Sequence, residues 1–234
     1  MTFSERIVGA NLTKYNAATA DWKRLVTAKP VILVPGQVEH DSAIRYATPG
    51  INTNIGLLQA VRARRPDAHV VYKPHPDVVA GLRRGGRNEN DAKSWCDEIV
   101  TDVSIASMLA EVDEVHVLTS LSGFEALLRG KRVTCYGQPF YAGWGLTTDH
   151  HPVERRTRRL QLDALVAGAL ILYPTYMSRT TGHFTTPERA VEELVEWRDR
   201  RTELPVWRRV LRPLWLLGDS WRRRLIELPE QIRT

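Results

Sequence analysis

Apolar residues run unbroken from Val31 to Val34 and stop at Pro35-Gly36, the pattern of a strand buried on both faces of a parallel sheet. The stretch from Asn52 to Arg65 has the length and start signals of a helix, with Asn52 or Thr53 as its cap and Pro66 as its stop. His69 to Tyr72 predicts the next strand, closed by Pro74 and Pro76. The pattern continues with a helix over Val103 to Glu111, a strand over Glu114 to Leu118, a helix over Ser122 to Arg129 and a strand over Arg132 to Tyr136. Strand and helix alternate four times.

Such alternation predicts an α/β fold with an open parallel sheet and flanking helices, whose ligands sit beyond the carboxyl ends of the strands. The Gly- and Arg-rich segment from Gly81 to Asp91 reads as a loop, and so does Gln138 to Gly145. Helices follow over about Leu162 to Leu172 and Pro187 to Arg201. Beyond them, Val206, Trp207, Val210, Leu211, Leu214, Trp215, Leu217, Trp221 and Leu225 recur at helical spacing, interleaved with Arg and bent at Pro213. The expected organisation is a helical lead-in over 1–28, a sheet domain over 29–197 and an amphipathic tail over 198–234.

Composition narrows the function classes. The 234 residues are 43% hydrophobic and 26% charged, an ordinary globular balance. The net charge is +6, but the tail alone holds 10 Arg against 5 Asp and Glu, so the body is nearly neutral. That placement, with no helix-turn-helix, zinc-finger or stacking motif in the body, argues against nucleic acid as a partner. The tail suits either an anionic membrane surface or packing on protein. Cys96 and Cys135 stand apart from any second ligand, which suggests neither a zinc site nor a disulfide. With no secretory signal and no long apolar run, the expected location is the cytoplasm, with the tail as a peripheral contact on the inner face of the membrane.

Candidate chemistry gathers at the strand ends. After the first strand come Gln37, Glu39 and Asp41; after the second, Lys73, His75 and Pro76; after the third, Ser120, Ser122, Gly123 and Glu125. After the fourth comes a loop holding Phe140, Tyr141 and Trp144. Asp41 can serve as nucleophile or base, or simply cap the next segment. His75, fixed between two prolines, can meet a leaving phosphate, with Lys73 adding charge, or can be a surface residue. Ser120 and Ser122 open a helix, where amides and hydroxyls suit an anion but where a plain cap is equally served. Glu125 can reach a ribose hydroxyl or complete a capping box with Ser122. Tyr141 and Trp144 can stack on a sugar or pin their loop to the core. Walker, dinucleotide and nucleophile-elbow motifs are missing, which disfavours ATPases, dinucleotide oxidoreductases and serine hydrolases.

Several strings resemble the KpsC/LipB family of capsule polysaccharide synthesis and export proteins. They are Lys14-Tyr15-Asn16, Leu33 to Glu39 with Asp41, Tyr72 to Asp77, Thr119 to Leu127, and the long Gly137 to Thr147. The resemblance implies a Rossmann-like domain similar to the C-terminal lobe of a GT-B-like glycosyltransferase. It implies a retaining transfer of Kdo, an eight-carbon keto-deoxy sugar acid, from CMP-Kdo to a glycolipid or glycan linker. On that likeness Asp41 is the nucleophile, His75-Pro76 meets the nucleotide phosphate, Ser120 and Ser122 bind it, and Glu125 contacts ribose. No metal or other cofactor is implied beyond the donor substrate.

One departure stands out: only about 30 residues precede the first strand, where such an enzyme would carry an acceptor lobe. The chain is therefore expected to be the donor-binding half alone, either a truncated or split enzyme that needs another polypeptide for the acceptor lobe or a reduced homologue whose activity has been lost or changed. The alternative is a catalytically silent nucleotide-sugar or glycan-binding scaffold in capsule assembly or export.

Overall fold

The computed structural model describes residues 2–14 and 20–202, with backbone alone for 200–202. The predicted amphipathic tail lies almost wholly outside the described residues. The described residues divide into two compact units, before and after the Tyr176–Met177 link.

The first unit is built on six parallel strands: β1 (Val31–Pro35), β2 (His69–Lys73), β3 (Glu98–Ile99), β4 (Glu114–Val117), β5 (Arg132–Cys135) and β6 (Thr148–Asp149). Their spatial order is β3-β2-β1-β4-β5-β6, the doubly wound order in which chain direction across the sheet reverses between the first and fourth strands. Helices α1 (Phe3–Gly9), α2 (Ser42–Ala47), α3 (Asn54–Arg64), α4 (Pro76–Val79), α5 (Ile105–Glu111), α6 (Leu121–Leu127) and α7 (Leu162–Val166) accompany it. The α/β class and the Rossmann-like sheet thus agree with the pattern of the sequence.

Burial on both faces explains the unbroken apolar runs. In β1, Val31 and Leu33 face one core with Met108, Leu109, Phe124 and Tyr141, while Ile32 and Val34 face a second with Ile44, Leu57, Leu58 and Val61. Alternate side chains of a strand point to opposite faces, so each face needs its own apolar set. At the amino ends of the strands, carboxylates replace missing ladder partners. Asp113 accepts the Val31 N–H at 2.8 Å while Arg24 grips both its oxygens at 2.8 Å. That grip holds its carboxyl below the usual range.

Some elements escaped the sequence pattern. The edge strands β3 and β6 have two residues each, and α2 and α4 have six and four, all too short for a period to register. The helix expected over Leu162 to Leu172 is α7 followed by a π-helical turn over Ala167–Leu172. A ribbon of β7 (Tyr176–Met177) and β8 (Phe184–Thr185) and a long helix, α8 (Pro187–Thr202), follow in sequence. Within the second unit Glu193 is buried, accepting from Ser178 Oγ and the Arg179 N–H at 2.7 Å each.

Candidate active site

A cavity of about 710 Å³ opens at the carboxyl ends of β1, β2 and β4, where the strand order reverses. Its lining includes Gln37 and Asp41 after β1, Lys73, His75 and Pro76 around the end of β2, and Ser120, Ser122 and Glu125 from the start of α6. Eight of the expected site residues thus share one wall-to-wall space. Lys14, Thr101, Asp102 and Thr119 join them.

Asp41 stands at the N-cap of α2, yet its carboxylate makes no capping bond. The backbone alone starts the helix, with Ile44 and Arg45 N–H donating to the Asp41 carbonyl at 3.0 Å. The side chain, 49% exposed, instead meets the guanidinium of Arg83 from the Gly- and Arg-rich loop. A cap residue released from capping is available for chemistry.

His75 caps α4 through its ring: Nδ1 accepts the Asp77 N–H at 3.2 Å. An accepting Nδ1 carries no proton, so the neutral ring has its proton on Nε2. Burial lowers the His75 pKa, with Asp77 and Asp41 pulling it up and Lys14 and Arg83 pushing it down. Asp41, Arg83 and His75 are therefore near enough to feel one another's charge. Between Pro74 and Pro76 the ring has a fixed mount.

Lys73 is buried at the end of β2, donates from Nζ to the Thr101 carbonyl at 2.9 Å, and has its pKa lowered by burial. Gln37 uses both ends of its amide as a clamp: Oε1 accepts the Thr119 N–H at 2.9 Å and Nε2 donates to Thr119 Oγ1 at 3.0 Å. It ties the loop after β1 to the loop after β4 across the point of strand reversal. Its main chain is held in turn by Asn54, which accepts from Gln37 N–H and donates to Gln37 carbonyl, both at 2.9 Å.

Ser120 is the N-cap of α6, its hydroxyl accepting the Ser122 N–H at 3.3 Å. Glu125 therefore lies too far into the helix for a capping box. It is buried, accepts the Lys14 N–H at 2.9 Å, and has its pKa raised by burial.

Four expected residues lie outside the cavity lining. Glu39 braces backbone, accepting Asn54 N–H at 2.8 Å and Arg87 N–H at 2.9 Å. Tyr141 is fully buried and its hydroxyl donates to the Ser120 carbonyl. Gly123 permits that approach, because a Cβ there would meet the Tyr141 ring at 2.8 Å or closer. Trp144 donates from its indole to the Phe140 carbonyl at 2.8 Å and lies under Arg156 at 5.3 Å. The aromatic loop is thus pinned to the protein, the second of the two roles open to it in the sequence.

Arg83, Thr101 and Asp102 went unmarked in the sequence. The signal for Arg83 was slight: an Arg between Gly81 and Gly85 in a loop 42 residues from its partner. Among the described residues, no group of three or more His, Cys, Asp or Glu is placed to hold a metal ion.

The fold and cavity define a doubly wound α/β protein with its ligand crevice at the strand reversal. Residues 2–184 match the family model described as capsule polysaccharide biosynthesis protein, and the chain belongs to that family. It is 51% identical over 185 residues to the capsule polysaccharide modification protein LipA of Neisseria meningitidis serogroup A, covering 79% of this chain and 26% of LipA. The lipopolysaccharide-processing protein LpsZ of Rhizobium meliloti is 42% identical over 185 residues, covering 78% of this chain and 42% of LpsZ.

Two solved structures of Thermosulfurimonas dismutans KpsC are similar. The β-Kdo 2,7 transferase superposes with a TM-score of 0.69 at 46% identity, over 83% of this chain and 60% of that one. The β-Kdo 2,4 transferase gives 0.72 at 28% identity, over 82% and 60%. This chain spans about a quarter of the length of LipA and 60% of each solved relative.

Proposed function

We propose that this chain binds CMP-Kdo in the cavity at the strand reversal and takes part in a retaining transfer of Kdo to a glycolipid or glycan. The observation that carries the reading is the pairing, on one cavity, of a carboxylate free of its capping duty with an imidazole on a rigid mount. The two KpsC relatives, both β-Kdo transferases, suggest the sugar.

In this reading an Asp41 oxygen attacks the anomeric carbon of Kdo as the bond from that carbon to the CMP phosphate oxygen breaks. CMP leaves with the bonding pair. The His75 Nε2–H, Lys73 and the Ser122 end of α6 would meet the phosphate charge, and Glu125 the ribose. An acceptor hydroxyl then attacks the same carbon from the vacated side, losing its proton and releasing the Asp41 carboxylate. Two inversions give net retention. The reading calls for no cofactor beyond the donor.

The acceptor would be held by sequence beyond the matched share of the relatives, in the same or a second polypeptide. The limited coverage also favours a second reading, a nucleotide-sugar-binding scaffold without turnover. Calorimetry with CMP tests what the two readings share: binding is expected, and a folded wild-type protein that binds no CMP refutes both. Asp41→Ala then separates them, since only the enzymatic reading predicts loss of capsule from cells carrying it.

A further inference from the structure

Between β6 and α7 the chain runs Glu154-Arg155-Arg156-Thr157-Arg158-Arg159, four arginines against one glutamate in a body whose net charge is close to neutral. Arg156 has a structural post: its guanidinium donates to the Pro139 and Ala142 carbonyls at 2.6 Å each and lies over the Trp144 ring. Arg155, Arg158 and Arg159 are exposed, and none of them makes an ion pair or a side-chain hydrogen bond among the described residues. Folding gives no reason for three unpaired like charges within five residues. They repel one another, and an anionic partner relieves that repulsion.

The same segment leads directly into α7 and the π-helical turn that follows it. From Leu162 to Tyr173 the only charged residue is Asp163. Leu160, Leu162 and Leu170 pack, with Trp144, against the core that holds Met108 and Phe124, so the arginine segment and the helix lie over one face of the sheet. The far end of the helical run is not covered. Leu172 and Tyr173 are 81% and 88% exposed, with Ile171 exposed beside them. Consecutive apolar side chains in water, next to unpaired cations, mark an interaction surface.

Charge decides what fits it. The tail of this chain carries 10 Arg against 5 acidic residues, and a second copy would bring the same arginines, so both meet repulsion. An acidic glycan would pair with the arginines but has no use for Leu172, and Trp144, the ring nearest to them in sequence, already has Arg156 over it. A bilayer with anionic headgroups suits both halves: guanidinium groups at the lipid phosphates, Leu172 below them, and the Tyr173 ring at the boundary where tyrosine is enriched. We propose that residues 155–159 and 171–173 form a docking surface for an anionic lipid bilayer, separate from the tail. None of these residues lines the cavity, so the proposal does not depend on the CMP-Kdo reading.

The test is co-sedimentation of the full chain with vesicles of phosphatidylcholine and phosphatidylglycerol in a two-to-one ratio, with hydrogen exchange to locate the contact. An arginine near an anionic surface is worth about fivefold in partitioning, so Arg155→Gln, Arg158→Gln and Arg159→Gln together should weaken binding by on the order of tenfold or more. Leu172→Asp should weaken it as well. Both variants change exposed side chains and should keep the thermal stability and the CMP affinity of the wild type. Vesicles should slow exchange of the amides in 168–173 in the wild type and not in the triple variant. Equal partition of the wild type and either variant overturns the proposal, because the tail alone would then carry the binding, and so does a wild type that stays in solution. Two other results also overturn it, each with vesicle binding intact: loss of binding to polygalacturonate in the triple variant would assign the arginines to a glycan, and a dimer that dissociates on Leu172→Asp would assign the face to a second copy.

Discussion

An aspartate at the start of a helix ordinarily turns its carboxylate onto the first amides, and Asp41 does not. One of its oxygens meets the Arg83 guanidinium instead. Asp41→Asn should keep the fold and CMP affinity but slow sugar transfer by on the order of 10³-fold or more, measured with radiolabelled donor. His75→Ala should cost about 10² to 10³ in the same assay, the usual loss of one positioned donor. A separate residue contributes to the pH dependence of stability. His116 is buried between Tyr136 Oη at 3.3 Å and Glu114 at 3.2 Å, and burial lowers its pKa, with Arg65 and His150 pushing the same way and the Glu114 carboxylate pulling it up. The unfolded chain therefore binds a proton at His116 before the folded chain does, so stability falls as pH drops below about 6.5. Urea midpoints between pH 7.5 and 5.5 should show that slope, and His116→Gln should reduce it, leaving the share of His75 and His150, whose pKa values burial also lowers.

Short elements place the chemistry, and long-range contacts place the short elements. The central strands were legible because a strand covered on both faces needs an apolar side chain at every position. The edge strands were not, since β3 and β6 exist by pairing with β2 and β5. The strand-end residues Asp41, His75 and Ser122 were legible as a group for the same reason that the sheet was: in this topology loops after the strands share one rim. What the sequence could not reveal was which of them had structural duties. Gln37 lines the cavity and also grips Thr119, and Gly123 makes room for Tyr141, duties that only long-range contacts reveal. Gln37→Leu should lower stability by about 1–3 kcal/mol in urea unfolding, because the Thr119 N–H loses its partner. Gly123→Ala should cost about 1–3 kcal/mol as well, because a buried ring must move to admit one methyl group.

On the scale of the whole molecule, the described residues include no helix long and apolar enough to cross a membrane. The Arg- and Trp-rich tail, expected to lie on a membrane or on protein, falls outside the described residues from residue 203 onward. Its part in the reading is a proposal tested by liposome co-sedimentation of the full chain against a chain lacking Val206 to Thr234. The match to relatives covers most of this chain but only part of each of them. The proposed reading assigns donor binding and attack on the donor to this cavity and acceptor recognition to sequence outside the match. The first half of the transfer can thus be observed without the second. Intact-protein mass spectrometry after incubation with CMP-Kdo should show one Kdo residue added to the wild-type chain, mapped to Asp41 by peptide digestion and missing from Asp41→Ala. A chain that binds CMP-Kdo yet forms no adduct, or one whose adduct survives Asp41→Ala, would contradict the account.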